Sequence, residues 1–352
     1  MNKHIFYIAA ACAALASCVK NEVRVNAPDK EITFQTVSTK AGVAFNTNHK
    51  FYSYAYFLEG KTWDTNHATA QLYIDNAEIS YQNGPNGNYW AAGNTYYWPK
   101  QGSLTFFAWT DDTAAPSIAG TDAKVSCAHD TGIKIEKYSV KDNPNKDILV
   151  AEIAKNKTAN ETNTGTWEKG VPTVFRHALA KVEFKVNKKI NYPNVTFKVK
   201  SITLNGVSTR GTFTQYQSNP NPENWGWNGW GLQEDLTVFT GDVEVTKTAD
   251  AAPAEFDALN PGTGDYFIVL PQVLKDKIDP KLTIEYEIIT SYVAGKPVTE
   301  TVTDTKDLKD IYKNDWECNK KYVLGITLGL NEIYWDPSVE GWEDGAVTDI
   351  QF

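Results

Sequence analysis

Hydrophobic residues recur with a period of two, or in short unbroken runs, along most of the chain after residue 31. These segments are rich in Val, Ile, Thr and aromatic residues, and Asn, Gly, Pro and Asp separate them, which is typical of strands joined by turns. Helical periodicity is confined to the short segment 307–312. Seventeen segments fit the strand pattern: 32–37, 51–58, 71–74, 78–81, 95–98, 103–109, 133–140, 147–153, 173–186, 195–204, 211–216, 236–245, 265–270, 281–290, 298–302, 321–330 and 347–352.

Many short strands with turns between them predict an all-β fold built from β-sandwiches. A length of 352 residues allows two ordinary domains, so we expect two sandwiches in tandem. The charged, turn-rich segment 187–194 lies between two strong predicted strands and is the expected boundary. The predicted domains are therefore an N-terminal sandwich over 31–188 and a C-terminal sandwich over 189–352.

The composition argues against a disordered chain and against a nucleic-acid-binding protein. The hydrophobic content of 41% is too high for a disordered chain, and the net charge of −9 argues against nucleic acid as a partner. Aromatic residues are abundant, with 11 Trp, 18 Tyr and 15 Phe. Neighbouring residues on a strand face opposite sides, so the pair Phe106 and Phe107 predicts that both faces of segment 103–109 are covered.

The first residues have the features of an export signal. Lys3 is followed by an uncharged apolar run over 5–15, which is too short to span a bilayer. Leu15-Ala16-Ser17-Cys18 resembles the bacterial lipobox, in which the chain is cut before a lipid-modified Cys. We expect a signal peptide over 1–17, cleavage between Ser17 and Cys18, acyl chains such as palmitate on Cys18, and a tether over 18–30. The alternative is an ordinary signal peptide with an incidental Cys.

The sequence lacks the patterns that carry catalysis or metal binding. The histidines are far apart, and there is no C-x-x-C or H-x-x-E-H motif. Segment 142–147 lacks the central Gly and distal Glu of a calcium loop. We expect no enzyme, catalytic residue, metal site or cofactor, although the many carboxylates leave a glycosidase pair open. Cys127 and Cys318 are the thiols left after processing, and nothing local decides whether they form a disulfide.

Three indoles form the clearest candidate for ligand contact. Trp225, Trp227 and Trp230 lie in a loop rich in Gly, Asn and Pro. Exposed indoles on a loop can stack on sugar rings or contact a partner protein. The alternative is a loop that folds its own indoles over the edge of a sheet.

Six short motifs follow one another along the chain after the lipobox. They are YYWP at 96–99, GSLTFFA at 102–108, NPNKDILVA at 143–151, FRHALAKV at 175–182, WECNKKY at 316–322 and NEIYWDPSVEGW at 331–342. In this order, the set resembles the fimbrillin-like lipoproteins of Bacteroides-type bacteria. The resemblance covers nearly the whole chain after the lipobox, but it does not separate the stalk, anchor and tip roles.

The resemblance implies two transthyretin-like sandwiches with Greek-key connections and a mechanism of assembly. A lipoprotein precursor reaches the outer membrane, and a protease cuts after a basic residue and removes the first strand. A strand from another subunit then fills the groove, and main-chain hydrogen bonds supply the affinity. Implied partners are other fimbrial subunits, identical or different, the outer membrane through the lipid, and a host or bacterial surface glycan or protein.

Individual residues map onto that scheme unevenly. Segment 31–37 is the expected removable strand, and Lys40–Ala41 is the candidate cut site, although the family is best known for cleavage at Arg. Lys40 is otherwise a solvated turn residue. The end of the chain, 347–352, is either a donor strand or an edge strand of its own domain. Thr113, in Asp112-Thr113-Ala114, matches a short O-glycosylation pattern of such bacteria.

We expect a fimbrial (pilus) subunit or pilus-associated adhesin, displayed at the cell surface on the outer membrane and in the fimbrium. The alternative is a surface lipoprotein that binds glycans through the Trp225, Trp227 and Trp230 loop. The first function works by strand exchange and the second by aromatic stacking, so a glycan array with Trp227→Ala as control would discriminate between them.

Overall fold

The computed structural model describes residues 31–37, 45–84, 87–159, 170–216, 225–228, 233–251, 255–259, 267–274, 280–291, 295–312, 314–330 and 333–341. The first ten strands are β1 (Phe34–Val37), β2 (Phe51–Leu58), β3 (Gln71–Gly84), β4 (Gly87–Ala92), β5 (Ser103–Thr110), β6 (Lys124–Ala128), β7 (Gly132–Ser139), β8 (Leu149–Ala151), β9 (Ala154–Lys157) and β10 (Val171–His177).

The remaining strands are β11 (Ala180–Lys188), β12 (Val195–Ser208), β13 (Arg210–Thr214), β14 (Gly226–Asn228), β15 (Gln233–Glu244), β16 (Asp257–Leu259), β17 (Phe267–Val269), β18 (Lys281–Thr290), β19 (Val298–Asp307), β20 (Lys320–Leu328) and β21 (Ile333–Gly341). Two single-turn helices, α1 (Trp63–Asn66) and α2 (Leu308–Ile311), and a 3₁₀ turn (His67–Thr69) complete the described elements. The all-β prediction is confirmed.

The first sheet closes on itself. Its strands follow the order β2-β3-β4-β1-β10-β8-β5-β9, and β5 also pairs with β2, so that seven strands form a ring with β9 added at β5. The ring encloses an aromatic core that includes Phe51, Trp90, Phe106 and Phe175. A ring leaves its member strands without a free edge.

A second sheet, β14-β13-β7-β6, covers the outside of this ring. The layer between them contains Tyr56 and Phe107 from the ring and Ile135 and Phe213 from the covering sheet. Phe106 points into the ring and Phe107 into this outer layer. The expectation that both faces of β5 are covered is therefore confirmed.

The second sandwich packs a five-stranded sheet on a four-stranded one. The five-stranded sheet has the order β16-β11-β20-β21, with β17 also on β11, and the four-stranded sheet has the order β15-β12-β18-β19. In β18 every second residue is apolar and faces the core, while the residues between them do not. The core-facing residues are Leu282, Ile284, Tyr286 and Ile288.

The chain passes between the sandwiches earlier and more often than the predicted boundary at 188/189 implies. β11 lies before that boundary but pairs with β20, β16 and β17 of the second sandwich. β13 and β14 lie after the boundary, yet β13 pairs with β7 of the first sandwich and β14 with β13. The predicted single strand 173–186 is interrupted at Ala178–Leu179, where the chain first crosses.

Candidate functional site: the first strand and its slot

Strand β1 lies between two strands that do not pair with each other. It pairs in parallel with β10, from Phe34↔Val171 to Val37↔Val174, and meets β4 at Phe34↔Trp90. We call the space between β4 and β10 that residues 31–37 fill the β1 slot. A backbone segment in this position completes the hydrogen bonding of the ring.

Backbone hydrogen bonds hold the segment on both sides. Val171 N donates to Thr33 O at 2.8 Å on the β10 side, and Ile32 N donates to Tyr96 O at 2.8 Å on the opposite side. Glu31 forms an isolated antiparallel bridge with Tyr97. Loss of residues 31–37 would leave donors and acceptors unpaired along both walls, and unpaired buried backbone groups are costly.

Two side chains of residues 31–37 are buried in the core of the ring. Ile32 and Phe34 are each 2% exposed and belong to the core inside the ring. The Phe34 ring meets Phe51 and Phe106 edge to face, with centroids 5.6 and 5.8 Å apart. Burial of one Phe or Ile side chain is worth about 1.5–3 kcal/mol.

Gly170, just before β10, allows β1 to come this close. A Cβ on Gly170 would lie 2.4 Å from the carbonyl carbon of Phe34 and 2.7 Å from the nitrogen of Gln35. Both of those atoms belong to the backbone and cannot turn aside. Only glycine fits there while β1 occupies the slot, and no sequence pattern pointed to this role.

The predicted cut site follows β1 in the sequence. Lys40 and Ala41 lie outside the described residues, between the end of β1 and Phe45. Phe45 is 9% exposed and packs against Trp90 and Phe175 inside the ring. Residues 38–44 therefore connect two segments that are both anchored in the same core.

The sequence matches the model of the fimbrillin-like family over residues 35–342. The chain belongs to the fimbrillin-like family. A fimbrial protein from Bacteroides vulgatus has a similar structure, with a TM-score of 0.65 and 19% identity over 89% of this chain and 100% of that one.

A second solved structure similar to this fimbrillin-like chain is a candidate cell adhesion protein from Bacteroides uniformis. Its TM-score is 0.50 and its identity 13%, over 90% of this chain and 100% of that one. At such identities, the likeness of the two structures shows a shared fold. No curated protein sequence matched. The family match itself confirms the resemblance that the ordered motifs indicated.

Two of the three indoles expected to contact a ligand lie in the core of this fimbrillin-like chain. Trp225 and Trp227 are each 6% exposed and pack against Phe213. Trp227 Nε1 donates a hydrogen bond to Ala178 O at 2.6 Å. The prediction of ligand contact is therefore wrong for these two residues, because the covering sheet folds its indoles inward. Trp230 lies outside the described residues.

The FRHALAKV motif forms the first crossing between the sandwiches. His177 and Asp147 form a hydrogen bond between Nδ1 and Oδ2 at 2.5 Å, and Arg176 pairs with Glu152 at 2.6 Å. Ala178, next along the chain, is fully buried. These paired side chains fix the end of β10 where the chain turns into the second sandwich.

Cys127 and Cys318, the two cysteines among the described residues, are free. Cys318 is buried, and its Sγ donates to Ala178 O at 3.2 Å, whereas Cys127 is half-buried on β6. Burial raises the pKa of the Cys318 thiol to about 12 and raises the pKa of Cys127 well above its usual range. Both thiols are therefore protonated at neutral pH, the form that reacts poorly.

Thr113, the candidate glycosylation site, sits half-buried in a braced loop after β5. Its hydroxyl donates to Asp111 Oδ1 at 2.5 Å, and Lys50 N donates to Thr113 O at 2.9 Å. A sugar on this hydroxyl would have to displace the Asp111 contact. Modification of Thr113 remains a prediction.

The described residues contain no group of three His, Cys, Asp or Glu side chains placed to hold a metal ion. None of the helices in the described ranges has the length and apolar character needed to cross a membrane. Ser17 and Cys18, the predicted cleavage and lipid site, lie outside those ranges. The β1 slot is therefore our candidate functional site among the described residues.

Proposed function

We propose that the protein is a fimbrial subunit or pilus-associated adhesin that joins other subunits by exchange of β-strands. The observation that carries the proposal is the position of β1. It is a short first strand whose removal would open a slot lined by unpaired backbone and aromatic side chains, between β4 and β10. A strand from another subunit could supply the same hydrogen bonds and fill the same pockets.

A segment of the chain itself has the side chains that such a donor needs. The slot takes Ile32 and Phe34, two residues apart and preceded by acidic Glu31. Asp349-Ile350-Gln351-Phe352 repeats the order acidic, Ile, polar, Phe. Side chains two residues apart lie on one face of a strand, so Ile350 and Phe352 could enter the pockets of Ile32 and Phe34 together. A copy of this chain is therefore one partner that fits, and other fimbrial subunits with the same spacing would fit as well.

Export completes the proposal. Residues 1–17 would direct secretion, and acyl chains on Cys18 would hold the precursor on the outer membrane. While β1 fills its own slot the precursor cannot accept a donor, so assembly waits for cleavage after Lys40. The role is structural and requires no catalysis or cofactor. The glycan-binding alternative has lost its main support, because Trp225 and Trp227 are buried.

Limited trypsin treatment of the purified precursor tests the proposal. We expect cleavage after Lys40, a product that starts at Ala41, and conversion of monomers to polymers visible by size-exclusion chromatography and electron microscopy. Cleavage lets β1 leave, after which a donor strand can compete for the slot.

Lys40→Gln provides the matched control, because it removes the cut site and leaves every described residue unchanged. This variant should stay monomeric under the same treatment. A product that starts at Ala41, has released residues 31–37 and still remains monomeric would contradict the proposal.

A further inference from the structure

Among the described strands, β21 is an edge strand. It ends the five-stranded sheet, and no other strand of the described ranges pairs with its outer side. β21 pairs with β20 at nine successive positions, from Lys320↔Gly341 to Leu328↔Ile333. Tyr334 and Val339 on β21 are 44% and 45% exposed. A long edge with exposed apolar side chains is a template for pairing with other chains.

Pro337 stands at the centre of that edge. It pairs with Leu324, and the ladder continues without a shift on both sides of this pair. Proline has no N–H, so in an unbroken ladder its nitrogen faces away from β20. Residues two apart share this direction, and the backbone groups of Trp335 and Val339 therefore also face outward.

We infer that Pro337 prevents the outer edge of β21 from accepting a strand. An incoming strand would find no donor at the centre of β21 and would meet the pyrrolidine ring there. Pairing would be confined to two outward-facing residues on each side, Ile333 with Trp335 and Val339 with Gly341. Pairings that short are marginal in water.

Two other outer strands of the second sandwich, β19 and β15, have protection of a different kind. β19, at one end of the four-stranded sheet, carries the charged side chains of Glu300, Asp304 and Lys306. β15, at the other end, follows β12 with three shifts of register, which twist an edge away from regular pairing. β21 follows β20 without a shift of register and exposes Tyr334 and Val339, so its protection rests on Pro337. On the function proposed above, this protection directs strand addition to the β1 slot.

Replacement of the proline tests the inference in the uncleaved protein, with β1 in place. Pro337→Val restores an outward N–H, whereas Ser338→Val adds the same side chain at the next position, where the N–H already faces β20. By sedimentation velocity, we expect Pro337→Val to self-associate at a concentration about tenfold or more below the parent, while Ser338→Val behaves as the parent. If Pro337→Val does not fold, Pro337→Ala replaces it in the same measurement, because alanine also restores the outward N–H.

Two results would overturn the inference. One is a folded Pro337→Val or Pro337→Ala variant that associates no more than the parent. The other is a Ser338→Val variant that associates as strongly as Pro337→Val, which would assign the effect to hydrophobicity. Because these proteins are never cleaved, the outcome is independent of protease-triggered assembly. If Pro337→Val associates but the cleaved parent does not polymerise, the role of Pro337 stands and the proposed function fails.

Discussion

Phe34→Ala is expected to lower the free energy of unfolding of the first sandwich by about 3–5 kcal/mol. The Phe34 ring is 2% exposed and packs edge to face on Phe51 and Phe106, so truncation leaves a cavity at the centre of the aromatic core. Urea denaturation followed by Trp fluorescence measures the change.

Gln35→Ala is the matched control for this substitution. Gln35 follows Phe34 on β1 but is exposed, so its loss should change stability by no more than about 0.5 kcal/mol. Phe34→Ala should also make residues 38–44 more sensitive to trypsin, because β1 would leave its slot more often. If Phe34→Ala is as stable as Gln35→Ala, β1 does not depend on its aromatic pocket.

The second large effect is expected for Lys146→Met, with a loss of about 3–5 kcal/mol. The Asp111 side chain is fully buried, and Lys146 Nζ lies 2.6 Å from its Oδ2. Lys146 Nζ also donates to Ser117 O at 2.6 Å, and Ser117 N donates to Asp111 Oδ2 at 3.0 Å. The substitution leaves a buried carboxylate without its cation and releases the loop that carries Thr113.

A double-mutant cycle with Asp111→Asn isolates the charge effect. Lys146→Met combined with Asp111→Asn should recover part of the lost stability, because no unpaired charge is left in the interior. Lys137→Met serves as control, since Lys137 and Asp122 form an exposed ion pair of the kind that contributes at most about 1 kcal/mol. Equal losses from Lys146→Met and Lys137→Met would show that the buried pair has no special importance.

Local pattern predicted strands well where one face is buried, as in β18, and also where an apolar run is buried on both faces, as in β2. Predicted segments 51–58 and 281–290 coincide with β2 and β18, and the short helix expected at 307–312 is α2. In β18 the alternation of apolar and polar residues has a single cause, the core on one side. β4, by contrast, was not predicted, because its Gly and Asn residues resemble a turn.

The crossing at Ala178 could not be read from local sequence. The apolar pattern runs from 173 to 186 without a break, so it predicts one strand. The chain turns there because of contacts far away in sequence: Trp227 donates to Ala178 O, and Asn319 N donates to Leu179 O. The burial of Trp227 depends on the same long-range contact. Its Gly- and Asn-rich neighbours in the sequence are typical of an exposed loop, so local sequence predicted that the indole is exposed.

The sequence predicted the strand that fills the β1 slot, but not how that strand pairs. Alternation identified 32–37 as a strand, and the family resemblance identified it as removable. That β1 runs parallel to β10, about 137 positions along the chain, and that Gly170 makes room for it, follow only from the tertiary structure. Long-range pairing of this kind leaves no local mark on either strand.

The central claim is that the slot between β4 and β10 accepts a separate strand with the side-chain spacing of β1. Binding of a fluorescent peptide with the sequence of residues 31–37 to the cleaved protein measures this directly by fluorescence anisotropy. We predict saturable binding that is lost when the Phe corresponding to Phe34 is replaced by Ala, and no binding to the uncleaved protein. Equal binding of both peptides, or no binding to a cleaved protein that has released β1, would contradict the claim.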